Sequence, residues 1–279
     1  MKGPPPSSSP ARGEHLQRES GFSYLPRFVE AEEAEQLAAF FAGLHPLWER
    51  RYADDRSRNL GSGLITRPVY WLGAWQFAAL GYYAEPEHLV DRCVRAEPLP
   101  PVMLRILERL RPELGLHGDN GPLPNTCLIN YYGRVRKEPY SSPIDYARLS
   151  MHRDAEPGAV VMLSIGQPAQ FEFVESKAAE PAHSQWVRHR SVVVISGERY
   201  KDQLYHRVTR VRHGQEPRLE IQLDDFQLRR VSVSFRHVPE EYIYDLGSLG
   251  PAASSIARPY VEQLAEHSPH FREQLASLP

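Results

Sequence analysis

From Thr126 onward the chain is divided into short β-branched or aromatic runs separated by turn formers. No other feature constrains the fold as strongly. The runs are "TCLINYY", "AVVMLSIG", "AQFEFV", "SVVVIS", "IQLDDF" and "RRVSVSFRHV", each of strand length and composition. Helical periodicity lies outside them. Leu37, Phe40, Phe41 and Leu44 recur at i, i+3, i+4, i+7 behind a first turn of acids, and Met103, Ile106, Leu107, Leu110 and Leu114 form a second stripe. A third helical stretch runs from about 254 to 276. Helices packed on a later run of strands predict an α+β domain built on a sandwich or jelly roll.

The 279 residues suffice for a large core and show no internal repeat. "MKGPPPSSSPARGEH" is Pro/Ser-rich without an apolar stretch, so residues 1–20 are expected to be a disordered tail and 21–279 a single domain, with its barrel over about 126–240. Only Cys93 and Cys127 are present, which argues against a disulfide framework and for a reducing, cytoplasmic setting. No run is apolar enough to span a bilayer. The net charge of −2 means that a nucleic-acid partner would need a local basic patch. The sequence leaves any oligomeric partner unknown.

"RRVSVSFRHV" raises a specific question. Side chains alternate along a strand, so Val231, Val233 and Phe235 share one face while Arg230, Ser232, Ser234 and Arg236 share the other. Arg230 and Arg236 are ~20 Å apart along such a strand, and each guanidinium reaches ~6–7 Å from its Cα. If both lean inward, the gap left is roughly the length of a small diacid, with the serines beneath as donors. The competing reading is a charged edge strand that deters aggregation.

In "RLSMHRDAEPG", His152 and Asp154 are two apart and point to one side of extended backbone. His206 ends a later β-like run, "ERYKDQLYHRV". Two imidazoles and a carboxylate on one face of a metal, with the other positions open, suit non-haem Fe(II) that must also bind a cosubstrate and dioxygen. Asn130 and Tyr132 in "CLINYY" share a strand face and offer an amide N–H and a phenolic O–H to the same anion.

In this order, "LINYYG", "LSMHRD", "SVVVISGERYKDQLYHRV" and "RVSVSFR" resemble the AlkB-like Fe(II)/2-oxoglutarate dioxygenases over roughly residues 128–237. The resemblance implies a double-stranded β-helix (jelly roll) flanked by N-terminal helices, with an N-terminal substrate-recognition lid at about 60–90. It implies Fe(II) on His152, Asp154 and His206, and 2-oxoglutarate on Asn130, Tyr132, Arg230, Ser232 and Arg236. It also implies oxidative demethylation of N-alkylated nucleobases, in which hydroxylation of the N-methyl carbon is followed by loss of formaldehyde. Two departures bear on substrate. The segment 134–148 is longer than the resemblance leads one to expect, and Glu156 stands where DNA-repair members often carry an Asp that contacts the methylated base.

A flipped base needs stacking partners and a basic groove. Tyr70, Trp71, Trp75, Tyr82 and Tyr83 are candidates for the first. Arg134, Arg136 and Lys137, together with Arg207, Arg210 and Arg212 beside the third metal ligand, are candidates for the second and are expected to rim the site. The alternatives are a hydroxylase or demethylase of a protein side chain or small metabolite with the same cofactors, and a catalytically inactive binding module.

Overall fold

The computed structural model describes residues 17–49, 67–76, 93–116, 121–135, 144–154, 156–212 and 219–277. The described elements are β1 (Gln17–Glu19), β2 (Phe22–Leu25), α1 (Ala31–Ala42), β3 (Val69–Leu72), β4 (Ala74–Gln76), β5 (Cys93–Arg95), α2 (Pro101–Arg109) and β6 (Thr126–Val135). There follow β7 (Ile144–Tyr146), β8 (Leu149–His152), β9 (Val160–Gly166), β10 (Ala169–Val174), β11 (His183–Val187), β12 (Ser191–Ile195), β13 (Tyr205–Val211), β14 (Phe226–Arg236), α3 (Pro251–Ala265) and α4 (Pro269–Ala276).

Two antiparallel sheets make the barrel of a jelly roll. The major sheet runs β1-β2-β12-β9-β14-β6-β3, with β7 added to β6, and the minor sheet runs β11-β10-β13-β8. The major sheet is buried on both faces, which is why its strands read as nearly continuous apolar runs. Its outer face, with Ile129, Tyr131, Val231, Val233 and Phe235, packs against Leu37 and Phe41 of α1 and Met103, Ile106 and Leu107 of α2. Phe41 is fully buried there, and truncating such a side chain to alanine costs about 3–5 kcal/mol. The inner face meets the minor sheet through Met162, Val193, Phe171, Phe173 and Val208. The hydroxyls and guanidinium groups of β14 therefore face the barrel interior.

Three expectations are corrected. The ordered chain begins before residue 21, since Gln17–Glu19 pairs with β2; residues 1–16 lie outside the described residues. "IQLDDF" is not a strand: Asp225 adopts φ 57 and turns the chain into β14 at Phe226. The C-terminal stretch is two helices, with Ser268 capping the second through the Phe271 N–H.

Candidate metal centre and cosubstrate seat

Strand register fixes what the barrel presents. Across β6, β14 and β9 the inward rows are Tyr132–Arg230–Gly166, then Asn130–Ser232–Ser164, then Leu128–Ser234–Met162, with Thr126–Arg236 at the far end. On the other side of β6, β3 sets Val69 beside Asn130 and Trp71 beside Leu128. Gly166 permits the close approach at Arg230: its φ is +98, and a Cβ there would lie 2.5 Å from the Arg229 carbonyl oxygen.

β8 and β13 pair His152 directly with His206. Candidate ligand atoms of His152, Asp154 and His206 all lie within 4.8 Å of one another. His206 Nε2 is 3.4 Å from Asp154 Oδ2, and the two imidazole centroids are 4.2 Å apart. His152 Nδ1 is 2.9 Å from the Ser150 carbonyl oxygen, so that nitrogen carries the proton and Nε2 keeps its lone pair.

Electrostatics favour the metal-binding protonation states. Burial, and then neighbouring His152, push His206 down to about 3. Burial also lowers His152, with Arg67 and Arg236 adding to the effect against the pull of Asp154. Burial alone would raise Asp154, but Arg236, His206 and His152 together hold it below the usual carboxylate range. Two neutral imidazoles and one carboxylate suit Fe(II) with open positions.

Arg230 is 2% exposed. Its Nη2 donates to Ser164 Oγ at 2.8 Å, and its guanidinium carbon sits 5.0 Å from the Tyr132 ring centroid. Its Nε and Nη1 have no partner among the described residues, a deficit that a bound carboxylate would meet. Arg236 is arranged differently. Its Nε and Nη2 donate to Asp154 Oδ1, at 2.9 and 2.5 Å, and Glu156 Oε1 lies 3.4 Å from its Nε. The two arginines therefore do not mirror each other across a diacid, because one fork closes on the metal-side carboxylates. Glu156, 4% exposed, is held against Arg236, and it also lines a cleft of about 580 Å³ with Asp154, Arg153, Lys201 and Asp202.

The candidate substrate residues are divided. Trp71 is 3% exposed and sits on the site face. Tyr70 and Trp75 face the helices, donating to Glu97 and Glu49 at 2.7 Å each. Tyr82, Tyr83, Arg136 and Lys137 lie outside the described residues. Arg134 pairs with Asp145 at 3.8 Å; it is two residues along β6 from Tyr132 but eight from Thr126, roughly 26 Å from the Arg236 row, and so does not rim the Asp154 end. Arg207 and Arg210 do not rim the site either. With His206 turned inward, they point out of the minor sheet, Arg207 to Glu172 at 2.9 Å and Arg210 to Gln170 at 3.3 Å. Arg210 and Arg212 lie over Trp186 at 5.2 and 4.1 Å.

Two residues of the site escaped the sequence reading. Lys201, in a short π-helical turn at Glu198–Gln203, donates to the Asp154 carbonyl oxygen and pins the metal loop. Arg67 is 4% exposed and donates from Nε to Asn130 Oδ1 at 2.7 Å. The available signal was the alternation Arg67, Val69, Trp71, with Pro68 biasing the residue before it toward extended backbone.

No curated protein matches the sequence. A solved structure described as "The structure of OsALKBH1" shares the fold, with a TM-score of 0.51 at 19% identity over 78% of this chain and 98% of that one. A second, an oxidoreductase of the 2OG-Fe(II) oxygenase family from Burkholderia pseudomallei, is 18% identical over 78% of this chain and 85% of that one, with a TM-score of 0.42. Among the described residues no helix is long and apolar enough to cross a membrane. Residues 21–236 match the family described as the 2OG-Fe(II) oxygenase superfamily. Because that match takes in every strand from β2 to β14, the chain belongs to the superfamily: it is an oxygenase that uses Fe(II), 2-oxoglutarate and dioxygen.

Proposed function

We propose that this oxygenase removes N-linked alkyl groups from nucleobases in DNA or RNA. The alkyl carbon is hydroxylated, and its carbon–nitrogen bond then breaks to leave an aldehyde and the unmodified base. His152, Asp154 and His206 hold the iron. Arg230, Tyr132, Asn130 and Ser232 seat 2-oxoglutarate, while Arg236 fixes Asp154 from behind. Bound there, iron and cosubstrate supply the oxidising chemistry, and the protein supplies placement and charge. Glu156 and Trp71 border the substrate; most of the lid expected at about 60–90 lies outside the described residues.

The observation that carries the reading is the order of the N-x-Y, H-x-D, distant His and R-x5-R motifs on a barrel of the fold seen in OsALKBH1. The 580 Å³ cleft beside Asp154 has room for a flipped base. Its charges, however, are Arg153 and Lys201 against Asp154, Glu156 and Asp202, and the other arginines point elsewhere. That balance favours a second reading, oxidation of a protein side chain or small metabolite. Incubation with methylated single- and double-stranded oligonucleotides, read by mass spectrometry, separates the two. Loss of methyl mass from a base supports the first reading; steady succinate production with every methyl group retained supports the second.

A further inference from the structure

The buried guanidinium groups on the site face are not equivalent. Arg236 has two carboxylates within reach, Asp154 and Glu156. Among the described residues neither Arg230 nor Arg67 has one: Arg230 Nη2 goes to Ser164 Oγ and Arg67 Nε to the neutral Asn130 amide. Burying an arginine without a counter-charge is costly, so such a group marks a place where an anion belongs. Two uncompensated guanidinium groups face a cosubstrate with two carboxylates. Arg230 lies on β14 and Arg67 just ahead of β3, on either side of β6, and they flank one ring, Arg67 at 5.7 Å and Arg230 at 5.0 Å from the Tyr132 centroid.

We propose that Arg67 is a third arm of the cosubstrate cradle: it shares with Arg230 the carboxylate seat of 2-oxoglutarate and locks the Asn130 amide so that its N–H groups face the same anion. This rests on the cosubstrate seat proposed above. The lock follows from hydrogen-bond polarity. Because Arg67 donates to Asn130 Oδ1, the amide must turn its two donors the other way. Arg67 thus acts partly by direct charge and partly as a positioning residue.

Calorimetric titration of the Mn(II)-loaded protein, which binds without turning over, tests this with two probes: 2-oxoglutarate, and pyruvate, which keeps the 2-oxo carboxylate and lacks the distal one. Arg67→Gln should weaken 2-oxoglutarate by about 10- to 100-fold. Arg230→Gln should weaken 2-oxoglutarate alone. Arg67→Lys should recover part of the loss, since a point charge replaces part of the fork. Should Arg67→Gln fail to fold, Arg67→Lys carries the test, with binding weaker by several-fold expected. Binding of both probes within twofold of wild type, or a rise confined to the KM for an alkylated oligonucleotide, overturns the assignment. Failure of the wild-type protein to bind 2-oxoglutarate would instead overturn the cosubstrate seat itself.

Discussion

Replacing Arg230 by methionine should make the ligand-free protein more stable while removing its response to 2-oxoglutarate. Arg230 is 2% exposed, and only its Nη2 has a neutral partner, Ser164. Two nitrogens go unmatched, and burial lowers the side chain's hold on its proton. Each unmet buried donor costs about 1–3 kcal/mol, and apolar replacement of buried charge often stabilises by about 1–4 kcal/mol. A gain of about 1–3 kcal/mol corresponds to a Tm rise of about 2–10 °C for a chain of this size. Wild type with Mn(II) and 2-oxoglutarate at a hundred times its Kd should gain about 2.7 kcal/mol, and Arg230→Met close to none. Scanning calorimetry with and without 2-oxoglutarate reads both quantities, and the ranking of the two proteins should narrow or reverse when cosubstrate is added. A lower ligand-free Tm for Arg230→Met, or an undiminished 2-oxoglutarate shift, would refute the reasoning.

Arg236→Gln removes the fork that holds Asp154 and should weaken Fe(II) binding about 10- to 100-fold; an unchanged metal titration would contradict that role. Arg210→Ala should leave 2-oxoglutarate turnover within about twofold, as expected for a surface side chain on the outside of the minor sheet; a large loss would return that arginine to the site. Glu33 accepts from Arg109 at 2.5 and 2.7 Å and from the Glu30 N–H at 3.0 Å, and the Arg109 bond first, against burial, lowers its pKa. Its folded pKa is therefore below the unfolded value, so its contribution is present above about pH 4.3 and fades as pH falls through the folded pKa. Urea titrations should put Glu33→Gln about 1 kcal/mol below wild type at pH 7, with the difference closing at pH 2; a difference that persists there would contradict the linkage.

What could be read from the sequence was whatever depended on period two or on short spacing. The alternation in β14 placed Arg230, Ser232, Ser234 and Arg236 on one face because the strand is regular from Arg230 onward. H-x-D brought out two ligands at the end of β8, His152 as its last residue and Asp154 two residues on in the loop that follows. Arg67 was not legible, since its partner Asn130 is 63 residues away and only sheet pairing brings them together. Nor was the different use of the two arginines, which depends on where the loop after β8 carries Asp154 and Glu156. The outward turn of Arg207 followed from the inward turn of His206 and was overlooked. That of Arg210 was hidden by the irregularity in the β10–β13 register. The strand β11 opens on three consecutive polar residues, His183, Ser184 and Gln185, that hide it from a β-propensity reading.

The most direct test of the account is Fe(II)-dependent conversion of 2-oxoglutarate to succinate under air, measured for wild type and for His206→Ala. Succinate formed by the wild-type protein only with Fe(II), in step with oxygen uptake and abolished in the variant, is the predicted result. No succinate from well-folded, iron-supplied wild-type protein, or equal turnover by His206→Ala, would contradict it.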